Sequence, residues 1–98
     1  MEILVPTAGG VVVAGRVVTI KGVPLSGVRM ILSDADGNIV EVFTNAAGFY
    51  VFDDVPAGET YTLSPQLKLF TFTPRVLMVE DNMEDVNFVG QSNVKRGR

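Results

Sequence analysis

Across residues 11–89 no segment keeps apolar residues at i, i+3 and i+4 for three turns, the spacing that an amphipathic helix needs. Apolar residues instead come in short runs with a period near two, which puts alternate side chains on opposite faces of a strand. The runs are VVVAGRVVTI (11–20), VRMILS (28–33), IVEVFT (39–44), FYVF (49–52), TYTLS (60–64), LFTFT (69–73), VLMVE (76–80) and VNFV (86–89). Between them stand GVPLSG, DADGN, NAAG, DDVPAGE and DNMED, rich in residues that reverse a chain. Pro65 and Pro74 are expected to end the strands before them. In VVVAGRVVTI the glycine marks a place where backbones approach closely. Short strands with turns at close, regular intervals predict an all-β antiparallel sandwich or small barrel.

The chain has 98 residues, which is one domain. The pattern divides it into an N-terminal arm (1–10), a β-sandwich (11–90) and a polar, basic tail (91–98). It contains no cysteine and no histidine. That removes disulfides, thiolate nucleophiles, the commonest general base and the commonest zinc ligand. No serine sits in a recognisable nucleophile setting, so no enzyme is expected, and no cofactor. The formal net charge of −3 gives no overall attraction to nucleic acid. No run is long enough to cross a bilayer as a helix. MEILVPTAGG has neither the basic start nor the long apolar stretch of a secretory signal. The expectation is a protein that assembles from the cytoplasm, or a piece of a longer secreted one. Hydrophobic residues make up 47% of the chain. Either a valine-rich core or an apolar surface covered by another chain accounts for this.

In SDADGNIV, Asp34, Asp36 and Asn38 alternate as oxygen ligands do at the start of a calcium loop. Counting from Asp34, position 6 is Ile39 instead of glycine, and position 12 is Asn45 instead of glutamate. Asp36-Gly37 between two alternating apolar runs reads better as a hairpin turn. A weak calcium site using Asp34, Asp36 and Asp53 or Asp54 is the lesser alternative.

The stretches AGRV, GVPLSGVRMILSDADGN and TNAAGFYVFDDVPAGETYTL, with the later FTFTP and VNF, resemble the carboxypeptidase regulatory-like domain of the transthyretin-like and collagen-adhesin B-type group. The most specific part is Gly48-x-Tyr50-x-Phe52, Val55-Pro56-x-Gly58 and Tyr61-x-Leu63. The resemblance implies a Greek-key, immunoglobulin-like (prealbumin-like) sandwich of about seven antiparallel strands. Val13, Gly15, Val17, Tyr50, Phe52, Tyr61, Leu63, Val86 and Phe88 then face inward. It also implies an accessory module without catalysis, as found on peptidases, adhesins, surface receptors and virions. Adhesin relatives can carry a lysine–asparagine isopeptide bond. Asn87 could be the asparagine, but Arg16 stands where the lysine is needed and cannot react in its place.

Residues that the sandwich does not need are the candidates for function. Ile3, Leu4 and Val5 form an apolar arm that either extends the first strand or packs on a neighbouring subunit. The outward face of the first strand carries Val12, Ala14 and Val18 around Arg16, where a solvated face would be polar. Lys95, Arg96 and Arg98 in the tail oppose in sign the acidic turn of Glu80, Asp81, Glu84 and Asp85. They are solvated ends or a head-to-tail contact between subunits. The expected function is a structural module making protein–protein contacts, a virion decoration or neck protein or an extracellular filament subunit. Its expected partners are copies of itself or other subunits, with no nucleic acid and no membrane. The alternative is a carbohydrate-binding or adhesive module of the cell surface, using Phe43, Phe49 and Phe70.

Overall fold

The computed structural model describes residues 10–93. Eight strands follow one another with no helix between them: β1 (Val11–Thr19), β2 (Arg29–Ser33), β3 (Ile39–Phe43), β4 (Phe49–Val55), β5 (Glu59–Gln66), β6 (Phe70–Thr71), β7 (Arg75–Val79) and β8 (Phe88–Ser92). They form two four-stranded sheets, ordered β4-β1-β8-β6 and β3-β2-β5-β7. The chain is an all-β sandwich. It has eight strands where the pattern gave about seven, and they are not all antiparallel: β8 runs parallel to β1, with Val17, Val18 and Thr19 beside Phe88, Val89 and Gly90. Residues 20–87, between these two strands, carry the chain through both sheets and give the long crossover that parallel pairing requires.

The core is the set that the period of two selects. Val13 and Val17 of β1, with Tyr50 and Phe52 of β4 beside them, face Met30, Leu32, Leu63, Leu77 and Val79 of the other sheet, with Val28, Val86 and Phe88 closing around them, all buried. Each contributes about 1.5–3 kcal/mol on leaving water. One buried polar side chain, Thr44, is fully used: its hydroxyl accepts from the Val28 amide at 2.9 Å and donates to the Leu25 carbonyl at 2.7 Å.

Three strand-end expectations need correction. Pro65 does not end β5. It lies opposite Met30, but β7 pairing has already stopped at Leu63–Arg75, so on that side its missing N–H has no ladder to break. LFTFT forms a strand only at Phe70–Thr71, because Leu69 turns the chain with φ of 73°. The last strand also starts and ends later than VNFV, and takes in Gln91 and Ser92.

Gly15 is where the two ends of the chain meet. A Cβ built there lies 1.8 Å from the Val86 carbonyl oxygen, so no side chain fits. That same oxygen accepts the Tyr50 hydroxyl at 2.6 Å, and Tyr50 is the β4 residue opposite Gly15. Burial pushes the Tyr50 phenol well above its ordinary value and keeps it a donor. We expect Gly15→Ala to cost about 3 kcal/mol or more, because the obstacle is backbone and cannot rotate away. Tyr50→Phe should cost about 1–3 kcal/mol, by leaving a buried carbonyl without its donor. Urea unfolding of the two variants checks both, and a Gly15→Ala protein of native stability would remove this contact from the account.

Candidate functional site

The DADGN turn is built by its own backbone. The Gly37 amide donates to the Asp34 carbonyl at 3.2 Å, and Gly37 takes a φ of 88°. The Asp34 carboxylate accepts from the amides of Asp36 and Asn38, both at 2.9 Å, and from the Asn38 side chain at 3.0 Å. The NAAG turn repeats the arrangement with a neutral residue. There Asn45 Oδ1 accepts from the amides of Ala47 and Phe49, and the Gly48 amide donates to the Asn45 carbonyl. An amide oxygen can therefore do what the Asp34 carboxylate does. Among the described residues no group of acidic side chains is placed to hold a metal ion. Asp34 spends its oxygens on the turn, so the hairpin alone accounts for this residue pattern.

The outer face of the β4-β1-β8-β6 sheet is apolar. Val12, Ala14 and Val18 of β1 are half-buried by their neighbour strands. Val51 lies opposite Ala14 and is 48% exposed; Val89 lies beside Val18 and is 53% exposed. Phe49 sits opposite Arg16, whose guanidinium lies 5.0 Å from the ring centroid while its Nε donates to the Ala47 carbonyl. The one charge on this strand is thus folded over an aromatic ring. Its backbone amide takes Asn87 Oδ1 at 2.9 Å, so Asn87 serves as a strand tie. The other sheet differs. The middle of its outer face carries Ser33, Thr60, Thr62 and Ser64, with Arg29 bonded to Glu41. Its exposed apolar residues Ile39, Phe43, Val76 and Met78 lie on the edge strands β3 and β7, while the half-buried Ile31 sits in the middle, on β2 between Glu41 and Ser64.

A third feature lies at one end of the sandwich. Pairing of β1 with β4 slips between Val11–Val55 and Val13–Phe52, which inserts one extra residue into β4. With strict alternation Asp54 would face the core. The bulge, with Asp54 at φ 62°, lets Asp53 and Asp54 both stay outside while Val55 returns to the core. Beside it opens a cleft of about 230 Å³ between the two sheets. Leu32, Val40, Val55, Pro56 and Tyr61 form its apolar lining, and Asp34, Asp53, Asp54 and Glu59 stand at its rim. Val40 points to the same side as core residue Leu32, yet it is 57% exposed.

This end gathers charge. Of the eleven acidic residues of the chain, nine lie in the β2–β3 turn, the end of β4, the start of β5 and the β7–β8 connection. They are Asp34, Asp36, Asp53, Asp54, Glu59, Glu80, Asp81, Glu84 and Asp85. Among the described residues Arg75 reaches this connection, its guanidinium donating to the Asn87 carbonyl at 3.3 Å, and no lysine or arginine lines the cleft. Lys21 and Lys68 follow the far ends of β1 and β5, and Arg29 begins β2 at that same far end.

Of the sequence-derived contact residues, the structure therefore gathers Val12, Ala14 and Val18 on one face, and adds Phe49, Val51 and Val89 from strands distant in sequence. Ile3, Leu4 and Val5 and Lys95, Arg96 and Arg98 lie outside the described residues. The three candidate sugar-stacking rings do not converge: Phe43 is on the outer face of one sheet, Phe49 on that of the other, and Phe70 on edge strand β6 beside Phe72. Pattern reasoning missed the cleft and the charge separation. Both depend on which turns share an end, and only the order of strands in the sheets settles that.

No protein-family model matches the sequence, and no curated protein matches it. Among solved structures, the fold is similar to part of the Bacillus anthracis TIE protein, with a TM-score of 0.65 and 13% identity over 83% of this chain. The chain spans 17% of that protein's length, and the likeness is one of fold.

The turn geometry gives a pH-dependent prediction. Hydrogen bonds from the Asn38 side chain and backbone hold the Asp34 carboxyl below the usual carboxylate range. A group lowered in this way stabilises the fold above its unfolded value of about 3.9, and that support is lost as the pH falls through the lower folded value. Asp34→Asn should leave the melting temperature at neutral pH nearly unchanged and flatten its fall in acid. Asp34→Ala should lower it already at neutral pH. Calcium should leave all three proteins unmoved. Thermal melts over the acid range, with and without calcium, check this; a calcium-raised melting temperature that Asp34→Asn abolishes would restore the metal site.

Proposed function

We propose that this domain is a non-catalytic structural module that makes protein–protein contacts within a larger assembly, and that its finer family is the carboxypeptidase regulatory-like domain. The observation that carries the proposal is the apolar outer face of β4-β1-β8-β6, centred on Ala14, Val18, Val51 and Val89. Antiparallel sheets that face water normally alternate apolar and polar residues, as the outer face of the other sheet does at its middle. A contiguous apolar face on a small domain is a surface for another protein. The family reading is supported by the inward Tyr50, Phe52, Tyr61 and Leu63 and by the turns at Gly48 and Gly58. A chain without histidine or cysteine has little means of catalysis, which favours a structural role. A virion decoration or neck protein and an extracellular filament subunit are the two settings that such a module suits.

Light scattering across a concentration series tests the contact. In high salt the full chain should associate, and Val51→Lys with Val89→Lys should return it to the mass of one chain. Both sites are exposed, so stability of the single chain should shift by no more than about 0.5 kcal/mol. A full chain that stays monomeric at every concentration would leave the face without a role in self-assembly.

A further inference from the structure

We propose that residues 94–98 of one copy, Val-Lys-Arg-Gly-Arg, dock in the acid-rimmed cleft of a second copy, so that copies join head to tail. This rests on the reading of the domain as an assembly module and names its partner.

The cleft asks for a mixed occupant. Its lining at Leu32, Val40, Val55 and Tyr61 is apolar, and the inward-facing Val40 is left open to water. Its rim carries Asp53, Asp54 and Glu59, and no lysine or arginine lines it. A segment that fits must offer an apolar side chain together with positive charge. Residues 94–98 offer Val94 with Lys95, Arg96 and Arg98. The long stems of lysine and arginine can cover apolar wall while their charges reach the rim. A cleft of about 230 Å³ has room for a valine and part of such a stem.

Reach excludes the same copy. The cleft lies beside Val55, which is level with Val11 at the start of β1. Gly90 is level with Thr19 at the other end of β1, and β8 continues beyond it to Ser92. Eight residues of strand at about 3.3 Å each separate the two levels by about 26 Å. Residues 94–98 can span at most about 18 Å. The tail leaves from the end opposite the cleft and cannot return to it, whereas a second copy stacked end to end presents its cleft there. Such a contact uses two different patches, so it does not close on itself as a twofold pair does; repeated, it makes a ring or an open filament.

The test uses two half-disabled proteins, both carrying Val51→Lys and Val89→Lys so that the apolar face is silent. One ends at Asn93 and keeps its cleft; the other carries Asp53→Lys and Glu59→Lys, both exposed, and keeps its tail. In low salt the untruncated chain carrying only Val51→Lys and Val89→Lys should grow in mass with concentration, and salt should reverse the growth. Each variant alone should associate at least about tenfold more weakly. Mixed, they should form a one-to-one pair and nothing larger, because the pair has one usable tail and one usable cleft. A labelled peptide of residues 91–98 that binds the protein ending at Asn93, and is released by salt, supports the proposal without relying on the folding of the lysine variant. If the protein ending at Asn93 assembles as well as the full chain, the tail–cleft contact is overturned while the apolar face keeps its role. If the full chain never assembles, the tail–cleft contact falls and the apolar face is left without a role in self-assembly. Binding of the full chain to duplex DNA without self-association would assign the tail to nucleic acid and overturn the proposal.

Discussion

The sandwich is organised around a single carbonyl, that of Val86. It lies over the bare backbone of Gly15 and receives the hydroxyl of Tyr50 from the strand on the other side. Three segments far apart in sequence are fixed by it: the first strand, the strand after the second turn, and the approach to the last strand. With these in place β8 has only one place to lie, parallel to β1. The Val86 amide, donating to the Ala14 carbonyl, sets that position from its other side. A larger residue at position 15 would separate β1 from this segment and take the register of β8 with it.

The two tight turns show how local chemistry serves this arrangement. Asp34 and Asn45 make the same turn with different charge states, each followed three residues later by a glycine with positive φ. One turn joins neighbouring strands of a sheet; the other sends the chain from one sheet to the next. The same device therefore does not determine topology. What differs is what lies over the glycine: Gly37 faces open space, while Gly48 lies under the Val17 carbonyl and so can join the packed interior.

Much of this was legible in the residues. The inward set Val13, Val17, Tyr50, Phe52, Tyr61 and Leu63 came with the family resemblance and agrees with a period of two, because burial of one face and alternation are the same fact. The glycine of the first strand was legible as a place of close approach. The outward set Val12, Ala14 and Val18 followed from the same alternation. The companions Val51 and Val89 did not, since nothing local says which strands flank β1. The parallel pairing of β8, the continuation of β5 through Pro65 and the bulge at Asp53-Asp54 all depend on where a neighbouring strand stops. Single-strand patterns do not contain that information.

The separation of charge has a consequence that acts before any contact. With nine acids at one end and cations toward the other, the domain is an electric dipole directed along its strands. In dilute salt its field extends well past the surface, by about 30 Å at 0.01 M, and turns an approaching charged molecule before the two touch. At physiological ionic strength the range contracts to about 8 Å, the width of a first contact. The surrounding electrolyte thus sets how far away a neighbour can be oriented, and the bulge at Asp54, by keeping two carboxylates out of the core, is part of what gives the molecule its polarity.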